Sequence, residues 1–169
     1  MKEAYIHASA LRHVATEVGA LFIVNDRCDL AMAVNADGVH LGQEDLPIAY
    51  ARQLLGPHKI IGLSTHTVAQ VHDAVTSQPD YIGFGPIYRT ATKTHHDPVV
   101  GLEGLRAVRA LTTLPLFAIG GLTADTSRDA MAAGSDGVAA ISAILNASDL
   151  GAAIRKFQAA LAIPDRQDS

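Results

Sequence analysis

Asp80-Tyr81-Ile82-Gly83-Phe84-Gly85-Pro86-Ile87-Tyr88-Arg89-Thr90-Ala91-Thr92-Lys93-Thr94 is an apolar run that ends abruptly in glycine, hydroxyls and one lysine. Tyr81 to Phe84 carries the aromatic and β-branched residues of a buried strand. Gly83 and Gly85 allow a second backbone or a ligand to come close. Thr90, Thr92 and Lys93 then supply donors suited to an anion. A loop of this kind at the C-terminal end of a strand is where α/β enzymes hold their reactive groups.

The surrounding composition suits one domain with an aliphatic core, expected over residues 1–163: 49% of the 169 residues are hydrophobic, yet only four are Tyr, four Phe and none Trp. A net charge of -4 with no run of Lys and Arg argues against nucleic acid or an anionic membrane as partner and leaves a small-molecule ligand. The single Cys28 forms no internal disulfide. Glu3, His7, Arg12, His13 and Glu17 interrupt the first twenty residues, unlike a signal peptide or a membrane span. The expected location is the cytoplasm.

Outward from the opening stretch, strand and helix patterns alternate along the whole chain. Ile6, Leu11, Val14 and Val18 predict a helix over Tyr5 to Val18, with Gly19 as its C-cap. Leu21 to Val24 reads as a strand, Cys28 to Asn35 as a helix, and Gly38 to Leu41 as the next strand with Gly42 to Asp45 as its exit loop. Pro47 is expected in the first turn of a helix that runs to Leu55 and stops at Gly56-Pro57. Ile60 to Ser64 is a strand, Val68 to Ser77 a helix, Tyr81 to Gly85 a strand and Glu103 to Leu111 a helix. Leu116 to Ile119 is a strand, Asp125 to Ala133 a helix, Gly137 to Ile141 the last strand and Asp149 to Leu161 the last helix. Pro164 to Ser169 reads as a disordered tail. Six nearly all-apolar strands and seven helices give parallel β-α units covered on both faces. Polar residues gather after the strands, so the six exit loops are expected to face one mouth. That arrangement belongs both to a β/α barrel lacking two of its eight strands and to an open doubly wound sheet.

Three groups of residues carry chemistry. Asp26 and Asp45 leave successive strands, and their oxygens suit a hard cation such as Mg²⁺; the competing role of each is to cap the turn or helix that follows. Gly120-Gly121, before a helix start at Thr123 to Asp125, and Ile141-Ser142-Ala143 offer backbone N–H groups for a phosphate, against the plainer reading of Gly-Gly as a tight turn. Ser64, Thr90, Thr92 and Lys93 would form a second anion set, against the plainer reading of Lys93 as a solvated loop lysine. Among the eight histidines, His95-His96-Asp97 lacks the thiolates or the spaced His pair of a zinc site. His40 lies within a strand and reads as packed and hydrogen-bonded, whereas His66 lies in a polar exit loop as a candidate acid or base.

The series Val24-Asn25-Asp26-Arg27, His40-Leu41-Gly42-Gln43-Glu44-Asp45, Gly62-Leu63-Ser64-Thr65-His66, Phe84-Gly85-Pro86-Ile87-Tyr88 with Thr90-Ala91-Thr92-Lys93, Ile119-Gly120-Gly121 and Ile141-Ser142-Ala143-Ile144 resembles thiamine-phosphate synthase, from about residue 5 to residue 161. The resemblance implies a β/α (TIM-type) barrel that joins hydroxymethylpyrimidine diphosphate to thiazole phosphate with Mg²⁺ and releases pyrophosphate. It implies that Asp26 and Asp45 hold Mg²⁺ and that Asn25, Ser64 and Lys93 bind the diphosphate, with His40 in the substrate-binding set and Ser64 and Lys93 as the catalytic groups. Thr90 and Thr92 would line the thiazole side, and the backbones of Gly121, Ile141 and Ser142 would take its phosphate. The mechanism it implies is dissociative, with no covalent nucleophile.

Members of that family usually begin with two further strands, the second bearing a glutamine, an arginine and a lysine that help hold the diphosphate. This sequence starts in what resembles the helix after that strand. The expectation is therefore a six-strand barrel with unpaired edges, covered in a homodimer, and low turnover. Two other readings stand beside the synthase: a thiazole tautomerase-like isomerase, which shares a Ser-x-His motif like Ser64-Thr65-His66, and a non-catalytic module for phosphorylated ligands.

Overall fold

In the computed structural model the described residues are 1–90 and 97–162. Thr92, Lys93, the pair His95-His96 and the tail Pro164 to Ser169 lie outside them. The elements run α1 Lys2–Val18, β1 Ile23–Asn25, α2 Cys28–Ala33, β2 Gly38–Leu41, α3 Ile48–Leu55, β3 Ile60–Thr65, α4 Val68–Ser77, β4 Tyr81–Phe84, α5 Gly101–Arg109, β5 Leu116–Ile119, α6 Ala124–Ala132, β6 Gly137–Ala139, α7 Ser142–Leu145 and α8 Leu150–Leu161. The fold is α/β of the TIM type, its six parallel strands hydrogen-bonded in chain order against the eight of a closed (β/α)₈ barrel.

The chain divides into two compact units. The first comprises Met1–Thr65 and His72–Ile82, and its core is built of small and branched aliphatics: Val24, Ala31, Ala36, Val39, Leu41, Ile48, Ala51 and Ile61. The second comprises His66–Val71 and the chain from Gly83 on. It buries Phe84, Ile87, Leu105, Val108, Leu116, Ala118 and Phe157.

One device recurs three times at the N-terminal ends of the strands. Asp37, Asp80 and Asp136 each stand one residue before an even-numbered strand. Each carboxylate Oδ2 accepts a backbone N–H beside the preceding strand: Phe22 at 2.7 Å, Ile61 at 2.7 Å and Leu116 at 2.8 Å. The same oxygen takes a guanidinium from the helix before: Arg12 at 2.9 Å, Arg52 at 2.6 Å and Arg109 at 2.9 Å. The Asp backbone N–H returns a bond to the carbonyl of that same Phe22, Ile61 or Leu116 at 2.7–2.9 Å. Helix, odd strand and even strand are thus tied at one carboxylate.

Several element boundaries depart from expectation for reasons visible in this bonding. β1 covers Ile23–Asn25 rather than Leu21 to Val24: its ladder with β2 starts at Ile23 opposite Gly38 and runs one residue further than expected, to Asn25 opposite His40. Pro47 is the N-cap of α3, with ψ 144°, not a first-turn residue. α5 begins at Gly101, two residues before Glu103, because the Gly104 N–H already donates to the Val100 carbonyl. α6 spans Ala124–Ala132 because Thr123 caps it, in a reciprocal box with Thr126. β6 stops at Ala139, and an eighth helix, α7, follows: Ile141 already has helical φ and ψ, and its carbonyl accepts the N–H groups of Ile144 and Leu145.

A clamp carboxylate that leaves takes with it the partners of one guanidinium and one backbone N–H. Asp80→Ala should therefore lower the unfolding free energy in urea by roughly 1–3 kcal/mol. The exposed Asp129→Asn should stay within about 0.5 kcal/mol.

Candidate active site

The polar groups stand at the C-terminal exits of the strands. Asn25 ends β1 in register with His40, and the Asp26 N–H donates to the His40 carbonyl at 2.8 Å. Asp26 has a φ of 63°. Asn35 and Gln78 share that left-handed conformation, but they follow helices, where it terminates a turn. Asp26 follows a strand, so its backbone is bent without helix capping to account for it. Such a conformation costs on the order of 1–2 kcal/mol in a non-glycine residue and gathers at functional sites.

Asp45 lies in the exit loop of β2. Its Oδ2 accepts the Gly42 N–H at 2.7 Å, so one oxygen shapes the turn while Oδ1 makes no hydrogen bond among the described residues. Arg27 is turned away to Asp29, gripping both its oxygens at 2.5 and 2.7 Å and holding that carboxyl down at about 2. Burial, helped by Asp29 and then Asp45, raises the Cys28 thiol above its ordinary value.

Ser64, near the end of β3, is 4% exposed. Its Oγ lies 2.8 Å from His40 Nε2, and its carbonyl accepts from the Gln43 amide at 2.6 Å. The other ring nitrogen of His40, Nδ1, lies 2.9 Å from the Tyr81 hydroxyl, with the rings stacked at 5.4 Å between centroids. His40 is on β2 and Tyr81 on β4, so they meet across β3. They meet over Gly62, the register partner of His40: a Cβ there would overlap both Tyr81 Cζ and His40 Nδ1. Glycine at position 62 is a window that side chains from the two flanking strands fill.

In the second unit, His66 Nδ1 lies 2.6 Å from the Gly85 carbonyl, which can only accept, so this nitrogen carries the proton. Its Nε2 is 3.5 Å from Asp97 Oδ2. Thr90 is half-buried after β4. Gly120 and Gly121 have φ of 84° and 69°, and a Cβ on Gly121 would strike the carbonyls of Tyr88 and Arg89. Ile141 and Ser142 are exposed at the start of α7. The N–H groups of Gly121 and Ser142 donate to no acceptor among the described residues.

The structure thus brings together Asn25, Asp26, His40, Asp45 and Ser64 on neighbouring exits of the first unit. In the second it places Thr90, Gly121, Ile141 and Ser142 after their strands, while Thr92 and Lys93 lie outside the described residues. Sequence reading missed Gly62 as a window and Tyr81 as a hydrogen-bond partner. The signal available was the glycine inside the apolar strand Ile60 to Ser64, a usual mark of close approach.

A TIM-type α/β chain with carboxylates, a buried serine and, among the described residues, backbone donors without acceptors after its strands has the make-up of an enzyme for small molecules. Residues 1–144 match the thiamine monophosphate synthase family. The chain is 48% identical over 149 residues to the thiamine-phosphate synthase of Moorella thermoacetica, covering 88% of this chain and 71% of that one. It is 44% identical over 156 residues to that of Chloroflexus aurantiacus, covering 92% and 72%. The solved thiamine phosphate pyrophosphorylase from Pyrococcus furiosus superposes with a TM-score of 0.87 at 38% identity, over 94% of this chain and 76% of the other. The chain belongs to the thiamine-phosphate synthase family, which is a family of transferases; the isomerase and binding-module readings are not favoured.

Burial pushes the Tyr81 phenol up to about 12. An unfolded tyrosine ionises near 10, so above that pH the unfolded chain loses this proton first and stability falls between roughly pH 10 and 12. Alkaline absorbance titration should show a tyrosinate step near 12 that is missing from Tyr81→Phe. A titration unchanged by that substitution would contradict the burial of the phenol.

Proposed function

We propose that this chain joins hydroxymethylpyrimidine diphosphate to thiazole phosphate, yielding thiamine phosphate and pyrophosphate, as a cytoplasmic homodimer using Mg²⁺. The observation that carries the reading is the division of labour among strand exits: carboxylates follow β1 and β2, and backbone N–H groups without acceptors among the described residues follow β5 and β6. Incubation of both substrates with Mg²⁺ should give thiamine phosphate and pyrophosphate in equal amounts; no product under any metal condition would refute the proposal.

The donor set is of a kind that suits Mg²⁺. Asp26 and Asp45 bear oxygen only, and among the described residues no group of three or more His, Cys, Asp or Glu forms a closed cage. Two carboxylates completed by substrate phosphate and water is a usual way to hold this ion. Mg²⁺, when bound, neutralises charge on the departing diphosphate. Asn25 and Ser64 orient that diphosphate on the first unit, His40 supports Ser64, and Lys93 supplies a point charge to the leaving group. Thr90 and Thr92 line the thiazole side, and the N–H groups of Gly121, Ile141 and Ser142 take its phosphate. Positioning and electrostatics carry the rate, and no side chain forms a covalent intermediate.

Calorimetric titration with pyrophosphate checks the metal assignment. Asp26→Asn and Asp45→Asn should each weaken binding about tenfold or more and abolish its Mg²⁺ dependence. Titrations unchanged in both variants would return these residues to capping roles.

The homodimer draws support from two features. Among the described residues β1 pairs only with β2, and β6 only with β5. Large apolar side chains are also exposed on the elements beside them: Ile6, Leu11, Val14, Val18 and Leu21 at one end of the chain, and Ile141, Leu145 and Leu150 at the other. Light scattering should give a mass near twice 17.7 kDa; a stable species at the single mass would contradict the dimer. No helix among the described residues is long and apolar enough to cross a membrane.

A further inference from the structure

Three hydrogen-bonding groups lie in line across β2, β3 and β4: the Tyr81 hydroxyl, the His40 ring and the Ser64 hydroxyl, spaced 2.9 and 2.8 Å apart. A neutral imidazole has one donor and one acceptor nitrogen, so the line runs in one direction or the other. In one direction Ser64 donates to Nε2, and Nδ1–H donates to the phenol. In the other, the phenol donates to Nδ1 and Nε2–H donates to Ser64 Oγ, which leaves the Ser64 proton for a further acceptor. Ser64 Oγ has no partner other than His40 among the described residues, so the second direction turns it into a donor toward an incoming oxyanion. The first direction would present only oxygen lone pairs to that anion.

We infer that Tyr81 is a positioning residue that, through His40 and over the Gly62 window, sets Ser64 as a hydrogen-bond donor to an oxygen of the substrate's diphosphate. The inference rests on the proposed contact between Ser64 and the diphosphate and goes beyond it, because it assigns the His40 tautomer and gives a remote phenol a role in recognition. A phenol that stays protonated to about 12 keeps the line supplied with its first proton. Gly62 belongs to the same device: any side chain there would part the His40 and Tyr81 rings. The Gln43 amide holds the Ser64 carbonyl, and the Ser64 hydroxyl itself is held by His40 Nε2, so the direction of the line decides what that hydroxyl offers.

The test has two parts. Nitrogen-15 NMR of the histidine rings in the unaltered protein should show neutral His40 with the proton on Nε2 and a bare Nδ1; the opposite tautomer in the pyrophosphate complex overturns the inference without any variant. Calorimetry with Mg²⁺ and pyrophosphate then compares Ser64→Ala, Tyr81→Phe and the double variant. Ser64→Ala should weaken binding by roughly 10-fold or more, as expected for a lost bond to a charged oxygen, and Tyr81→Phe by about 2–10-fold. The double variant should bind no worse than Ser64→Ala alone, because the phenol acts only through that hydroxyl. Fully additive losses would make Tyr81 a packing residue, and an effect of Ser64→Ala with none from Tyr81→Phe would overturn the relay while sparing the diphosphate contact. If Ser64→Ala binds pyrophosphate unchanged, the contact beneath the inference fails first and the relay falls with it.

Discussion

A carboxylate one residue ahead of β2, β4 and β6 holds the rest of the architecture in place. Asp37, Asp80 and Asp136 each accept a backbone N–H at the start of the odd-numbered strand before them and a guanidinium from the helix that precedes that strand. Each is a charge-assisted bond to a partly covered arginine, Asp37 being partly covered and Asp80 and Asp136 exposed, and each goes beyond a surface ion pair because the oxygen also satisfies backbone. Two of the arginines fasten loops as well. Arg52 bonds the Lys59 carbonyl, and Arg109 those of Thr112 and Leu114, so the loop into each of β3 and β5 is held from the same side chain.

These fastenings stand at the strand N-termini, whereas the polar groups at the C-terminal exits bond mainly within their own loops and to neighbouring strand ends. Asp26 can then sit in a left-handed bend and Gly121 at a φ that brings carbonyls close, since strain at an exit is tolerated when the other end of the strand is pinned. Gly62 extends the same economy into the strand itself. With no side chain of its own it lends its space to His40 and Tyr81, and a buried serine acquires a hydrogen-bonded line that spans three strands.

The alternation of apolar strands with amphipathic helices was readable because period and turn chemistry are local, and the polar residues after each strand marked the exits correctly. The clamps were not readable in the same way. Their arginine and aspartate are 25, 28 and 27 residues apart, a separation that no helical or strand period encodes. Their trace was the recurrence of Asp37-Gly38-Val39, Asp80-Tyr81-Ile82 and Asp136-Gly137-Val138 at the start of alternate strands. Tyr81 was legible as a strand aromatic but not as a partner of His40, because that meeting depends on register across β3. The helix at Ser142–Leu145 was hidden by the apolar run through Ile141, whose backbone turns helical after β6 has ended. Asp45 kept both of its alternatives, since one oxygen caps the Gly42 turn and the other makes no hydrogen bond among the described residues.

The clamps stand at the N-terminal ends of the strands, and the proposed site stands at the other end. Backbone amide NMR during titration with Mg²⁺ and pyrophosphate reads both ends at once. The account predicts that the amides of Asn25, Asp26, Gly42 and Ser64 shift while those of Phe22, Asp37, Ile61, Asp80, Leu116 and Asp136 stay in place. Shifts gathered at the clamp amides, with the exits silent, would contradict it.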